Sequence, residues 1–120
     1  MSGTRARRVA DQIKKEVSQI ISEELKDPRV AAITSVTEVR MSRDLRYARI
    51  YISIYGNPEQ QQETFQVLTG AVGFFRSEIG KRIRLRYAPE VTFELDRSLE
   101  YGNHIEQVLK SIRSEREGNA

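Results

Sequence analysis

Cysteine is absent from this chain, which excludes a disulfide framework, a thiolate-bound metal and a thiol nucleophile. The single histidine, His104, has no companion residues at metal-ligand spacing. No apolar run approaches membrane-spanning length. The N-terminal Met1-Ser2-Gly3-Thr4-Arg5 leads into an amphipathic stretch, not the uninterrupted apolar core of a secretory signal. Paired carboxylates occur, as at Glu23-Glu24, but with no nucleophile–base pair to make them catalytic. These absences point to a non-enzymatic cytoplasmic protein with no metal, no cofactor, no small-molecule substrate and no membrane contact.

What the chain does have is an uneven distribution of charge. Its 120 residues are 38% hydrophobic and 31% charged, an ordinary globular balance with a net charge of only +3. That small total hides two basic stretches. Residues 1–15 carry Arg5, Arg7, Arg8, Lys14 and Lys15 against Asp11 alone, a net of +4. Residues 76–88 carry Arg76, Lys81, Arg82, Arg84 and Arg86 against Glu78, again +4, which leaves −5 for the rest of the chain. Segregated charge of this kind steers a polyanion, whereas evenly mixed charge does not. The length suits one domain spanning 1–120, with about 5–114 ordered and frayed termini, and a chain of this size buries roughly two-thirds of its unfolded surface. It is expected to be a monomer.

Hydrophobic spacing predicts the elements. Val9, Ile13, Val17, Ile20, Ile21 and Leu25 form one stripe of a helix over 5–26, with Thr4 as its N-cap and Asp27-Pro28 as its stop. Residues 33–41 alternate as a strand, with Ile33, Ser35, Thr37, Val39 and Met41 on one side and Val36 as the exception. Ser42–Arg46 reads as a turn. Ala48, Ile50, Ile52 and Ile54 alternate with Tyr47, Arg49, Tyr51, Ser53 and Tyr55 to give the clearest strand, completing a hairpin. Asn57-Pro58 is a helix start, with Asn57 as cap. Ala88-Pro89 forces an extended entry into a strand containing Val91, Phe93 and Leu95, and Ile105, Val108, Leu109 and Ile112 mark a last helix. The order is α-β-β-α-(kink)-α-β-α, an α+β layer of three strands with helices on one face.

The kink is the most telling point. Phe65, Leu68, Val72, Phe75, Ile79 and Ile83 share one helix face, yet Gly70-Ala71-Val72-Gly73 falls in the middle of it. Two glycines within a turn, each costing roughly 0.5–1 kcal/mol against alanine, predict a bend or break. The apolar middle of this Gly-x-x-Gly favours a packed kink over an open phosphate clamp, and a bulky residue at Gly73 is expected to crowd it.

Lys26-Asp27-Pro28-Arg29-Val30, Ser42-Arg43-Asp44-Leu45 with Tyr47-Ala48, Gly73-Phe74, Arg76, Ile79-Gly80, Leu85-Arg86 and Pro89-Glu90-Val91-Thr92-Phe93 occur in an order and spacing that resemble the bacterial ribosome-binding factor A family, from about Arg7 to Ile112. The resemblance implies a KH-like fold of the second, prokaryotic type, with an Ala-x-Gly kink, here Ala71-Val72-Gly73, in place of the usual Gly-x-x-Gly loop. It also implies an assembly factor that binds the small (30S) ribosomal subunit and its 16S rRNA during late maturation. Such a factor supports 5′-end processing of the precursor rRNA and growth in the cold.

The cations after the kink are the leading RNA-contact candidates. Arg76, Lys81 and Arg84 fall away from the apolar face, Arg82 borders it, and Arg86 lies beyond the helix. Arg5, Arg7, Arg8 and Lys15 on the first helix are a second set, and Arg43 and Arg46 in the hairpin turn a weaker one. Tyr47, Tyr51 and Tyr55 line one strand face, a pattern more typical of cross-strand packing than of base stacking. Two other functions stay open on sequence grounds: a general single-stranded-RNA-binding KH domain, and a protein-interaction module that docks through the tyrosine face or the last helix.

Overall fold

The computed structural model describes residues 2–25 and 34–96. The expected stop at Asp27-Pro28, Ile33, His104 and the last helix lie outside those residues.

Helix α1 (Ser2–Gln19) begins before Thr4, so Thr4 is a first-turn residue and not the expected cap. The apolar stripe continues past Gln19, but the backbone widens into one π-helical turn, Ile20–Glu24, closed by Leu25 N–H donating to the Ile20 carbonyl at 2.8 Å. The wider turn lets two adjacent isoleucines, Ile20 and Ile21, both reach the core.

Strands β1 (Thr34–Met41) and β2 (Tyr47–Ile54) pair antiparallel. The register slips between Val36 and Glu38, leaving Thr37 as a bulge. This explains why simple alternation misassigns β1. Val36 lies opposite Ile52, whereas beyond the bulge Val39 lies opposite Ile50 and Met41 opposite Ala48, so the core-facing parity changes at Thr37. Ser35 and Thr37 therefore do not share the core side with Val39. The Thr37 hydroxyl instead reaches the Asp96 carboxylate at 2.6 Å and the Tyr51 carbonyl at 3.3 Å.

Helix α2 (Pro58–Gly70) starts with a complete capping box: Asn57 Oδ1 accepts from Gln60 N–H at 2.8 Å, and Gln60 Oε1 accepts from Asn57 N–H at 2.9 Å. Gly56, at φ +156°, makes room for it, because a side chain there would collide with Gln60 Oε1. Helix α3 (Val72–Ile83) follows after one non-helical residue, Ala71. Strand β3 (Glu90–Leu95) then pairs with β2 in parallel, giving a mixed sheet of order β1-β2-β3. The crossover through α2 and α3 is what a parallel neighbour requires.

The core lies between the sheet and the helices. Ile50, Ile52, Ile13, Val17, Ile20, Leu68, Phe75 and Ile79 are fully buried, and the Phe75 ring meets Phe93 edge to face at 5.0 Å. The stripe predicted across the kink holds, with Leu68 before Ala71 and Phe75 and Ile79 after it, all in one core.

Candidate nucleic-acid interface

Helix α3 divides its cations between structural and free roles. Arg82 is the hub of an ion cluster. Its Nε donates to Glu78 at 3.2 Å, Nη1 to Glu16 at 3.2 Å, and Nη2 to both oxygens of Glu24 at 2.6 and 2.7 Å. Glu24 first and Glu16 next hold the guanidinium in its charged form, raising its pKa. One cation against three carboxylates leaves the cluster net negative, and Arg82, a predicted RNA contact, fastens α3 to α1 and to the π-helical turn.

Arg76 also departs from expectation. The helical wheel puts it on a solvent face, but its Nε donates to the Pro89 carbonyl at 3.0 Å and its Nη2 pairs with Glu90 at 3.2 Å. Pro89 is buried, and its carbonyl needs a donor where β3 begins. Arg76 supplies that donor and orients the strand entry.

Lys81, Arg84 and Arg86 are exposed, and none is in an ion pair among the described residues. Arg84 ends α3 in the left-handed conformation, φ 50° and ψ 48°, and so redirects the chain. Leu85 then packs back on the core, and Arg86 and Tyr87 project beside the hairpin turn. There a cleft of about 290 Å³ brings together Arg86, Arg5 from α1 and Arg46 from the β1–β2 turn. Arg46, only a weak candidate from sequence, thus joins one arginine from each predicted basic stretch. The signal for this lies in the parallel register, where Tyr47 pairs with Glu90 and carries the 84–89 segment alongside the turn.

The remaining cations of α1 separate. Arg7 and Lys14 border a groove of about 550 Å³ against β1, with Arg40 and Arg43 on its other side and Ala6, Ala10, Val39 and Met41 among its walls. Arg8 and Lys15 are exposed and line neither cleft.

At the kink, Ala71 (φ −99°, ψ 12°) interrupts the helix, and its N–H is shared between the Val67 and Leu68 carbonyls at 3.1 Å each. Val72 packs against the core, whereas Phe74 is exposed. A Cβ added at Gly70 or Gly73 would meet nothing within 4 Å. A methyl group at Gly73 therefore causes no crowding. The glycines leave bare backbone facing outward on either side of the break.

The outer sheet face is filled by its own ion pairs. Arg40 pairs with Glu38 at 3.0 Å and lies 5.2 Å from the Tyr51 ring, while Arg49 pairs with Glu94 at 3.4 Å. Of the three strand tyrosines, Tyr51 is covered in this way, and Tyr47 and Tyr55 stay exposed. Among the described residues there is no cluster of three metal-ligating side chains, and no helix is long and apolar enough to cross a membrane.

Comparison with known proteins places the sequence and the fold. Residues 5–109 match the family model described as ribosome-binding factor A. A ribosome-binding factor A from Caldanaerobacter subterraneus subsp. tengcongensis is 49% identical over 111 residues, covering 92% of this chain and 91% of that protein. One from Clostridium botulinum (strain Langeland) is 48% identical over 119 residues, covering 99% and 98%. Among solved structures, the solution structure of a putative ribosome-binding factor A from Thermotoga maritima superposes with a TM-score of 0.65 at 37% identity, covering 75% of this chain and 85% of that one. A Thermus thermophilus homology model fitted into the cryo-EM map of a 30S complex with ribosome-binding factor A gives a TM-score of 0.63 at 24% identity, covering 78% and 96%. By sequence over nearly its whole length, and with a fold to match, this chain belongs to the ribosome-binding factor A family.

Proposed function

We propose that this chain binds the small ribosomal subunit through 16S rRNA, using the exposed cations at the C-terminal end of α3 as its main contact. The observation that carries this is the convergence of Arg86, Arg5 and Arg46 on one cleft, with Lys81 and Arg84 exposed on the helix that leads to it. Guanidinium groups on three separate elements suit the phosphates of a folded RNA better than those of a regular duplex, since they present charge in a fixed three-dimensional arrangement. Affinity then comes chiefly from phosphate neutralisation, and selectivity from the shape of the rRNA junction. Family membership and the fitted 30S complex of the Thermus relative support the same partner.

In this reading the protein acts by binding and not by catalysis, as one copy per immature subunit in the cytoplasm. It holds late precursor rRNA in one arrangement and so favours 5′-end processing, with the greatest effect in the cold, where misfolded RNA escapes slowly. The test is a sucrose-gradient profile of cell extract. The protein should travel with free small subunits and be absent from whole ribosomes. Migration solely at the top of the gradient, at low salt and with free subunits in excess, would refute the proposal.

A further inference from the structure

Beside the arginine cleft lies a second cavity, of about 280 Å³, lined by Arg46, Tyr47, Tyr87, Ala88 and Glu90. The two cavities share Arg46 and Tyr87 as walls. We propose that together they hold one unpaired RNA nucleotide, with its phosphate among Arg5, Arg46 and Arg86 and its base against Tyr47 and Tyr87. The inference rests on the RNA-binding reading above and assigns a particular subsite to it.

The chemistry of the two cavities is complementary. The first presents three guanidinium groups and one carboxylate, that of Asp44. Three guanidiniums against one carboxylate keep the cleft net positive, and Asp44 is turned to the hairpin turn, accepting from Ser42 Oγ at 2.6 Å and Arg46 N–H at 3.1 Å. The second presents two tyrosine rings that are 61% and 66% exposed, an unfavourable position for apolar area unless something covers it. Glu90, at its edge, is held by Arg76 at 3.2 Å, which limits its repulsion of a phosphate. Arg86 lies 5.6 Å from the Tyr87 ring, so a base stacked on Tyr87 sits within reach of a cation that holds its own phosphate.

Tyr47 is also fixed beside the segment that carries Tyr87. Tyr47 and Glu90 are partners in the β2–β3 register, and Glu90 N–H donates to the Arg46 carbonyl at 2.7 Å. The turn before them is closed by Ser42 N–H to the Tyr47 carbonyl at 2.9 Å and Tyr47 N–H to Ser42 Oγ at 3.0 Å. A paired base cannot enter, because its face is already stacked, so the site selects a splayed nucleotide. This contact lies at the opposite end of α3 from the glycine-flanked kink, about 18 Å away for its 12 residues.

The chain has no tryptophan, so its intrinsic fluorescence reports tyrosine. Single-stranded oligoadenylate should quench that emission on binding, and a fully paired RNA duplex should not. Tyr87→Ala should weaken oligoadenylate binding about tenfold and reduce the quench, while Tyr87→Phe should keep the affinity. Arg46→Ala should weaken binding and lower its salt dependence, with the melting temperature of each variant measured alongside. Affinity in Tyr87→Ala equal to wild type, or equal quenching by duplex, would each overturn the assignment. If Tyr87→Ala binds oligoadenylate normally while the wild type co-sediments with small subunits, the subsite is wrong and the subunit contact stands. If the wild type fails to co-sediment, both fall.

Discussion

Both carboxylate oxygens of Glu24 rest on one nitrogen, Nη2 of Arg82, at 2.6 and 2.7 Å. This joins the last turn of α3 to the π-helical turn that ends the first helix. Removing Arg82 leaves Glu16, Glu24 and Glu78 facing one another without a cation. Arg82→Ala should lower the melting temperature, and added salt should recover part of the loss by screening the carboxylates. Arg82→Lys should recover less than the native residue, because one ammonium cannot serve three directions at once. Thermal melts across a salt series check this. Small-subunit binding, measured well below the melt, should change little, in contrast to what the basic character of the segment suggests.

The reverse is expected of the two cations that flank Arg82, Lys81 in the same turn and Arg84 at the C-cap. Lys81→Ala combined with Arg84→Ala should weaken co-sedimentation with small subunits and flatten the dependence of log K on log salt by about 1.4–1.8, the value for two phosphate contacts. Arg84→Gly separates binding from stability. Glycine accepts the left-handed backbone at φ 50° without penalty, so this variant should be more stable by about 1 kcal/mol and still bind less tightly. A calorimetric melt and a salt titration on the same preparation read both effects.

Gly70→Ala and Gly73→Ala should each fold, and each should stabilise by up to about 1 kcal/mol, because the added methyl meets nothing within 4 Å while the unfolded chain loses freedom. Subunit affinity then tells whether the bare backbone touches RNA. Loss of binding in a variant that melts higher identifies a contact, and unchanged binding makes the break a purely architectural bend.

Acid should act on the hairpin turn through Asp44. Hydrogen bonds from Ser42 Oγ first and Arg46 N–H next hold its carboxyl below the ordinary value of 3.8. The folded pKa is depressed, so this contribution is complete above the ordinary value and lost as pH falls through the folded one. Asp44→Asn should therefore lower stability at neutral pH and close the gap to wild type at the most acidic end of a pH series of denaturant midpoints.

Much of the architecture was legible because its causes are local. The alternation of Ala48, Ile50, Ile52 and Ile54, the Asn57-Pro58 start and the stripe from Leu68 to Ile79 all follow from spacing and capping chemistry, and each is where periodicity puts it. The bulge at Thr37 was not legible, because a single extra residue in a strand is defined by its partner across the sheet. The basic cluster was legible as charge but not as geometry. A helical wheel treats Arg76 and Arg82 as solvent-facing or borderline, yet their partners, the Pro89 carbonyl and the Glu16 and Glu24 carboxylates, come from distant segments. Arg46 was undervalued for the same reason, as its neighbours Arg5 and Arg86 are close only in the folded chain.

The parallel seating of β3 has a kinetic meaning. The β1–β2 hairpin closes over a short turn and can form early, whereas β3 must return across both helices before it finds β2. Arg46 belongs to the early piece and Arg86 to the segment delivered last. On the proposed function, the cleft of Arg5, Arg46 and Arg86 is assembled only when β3 docks, so this part of the RNA grip is the last to form.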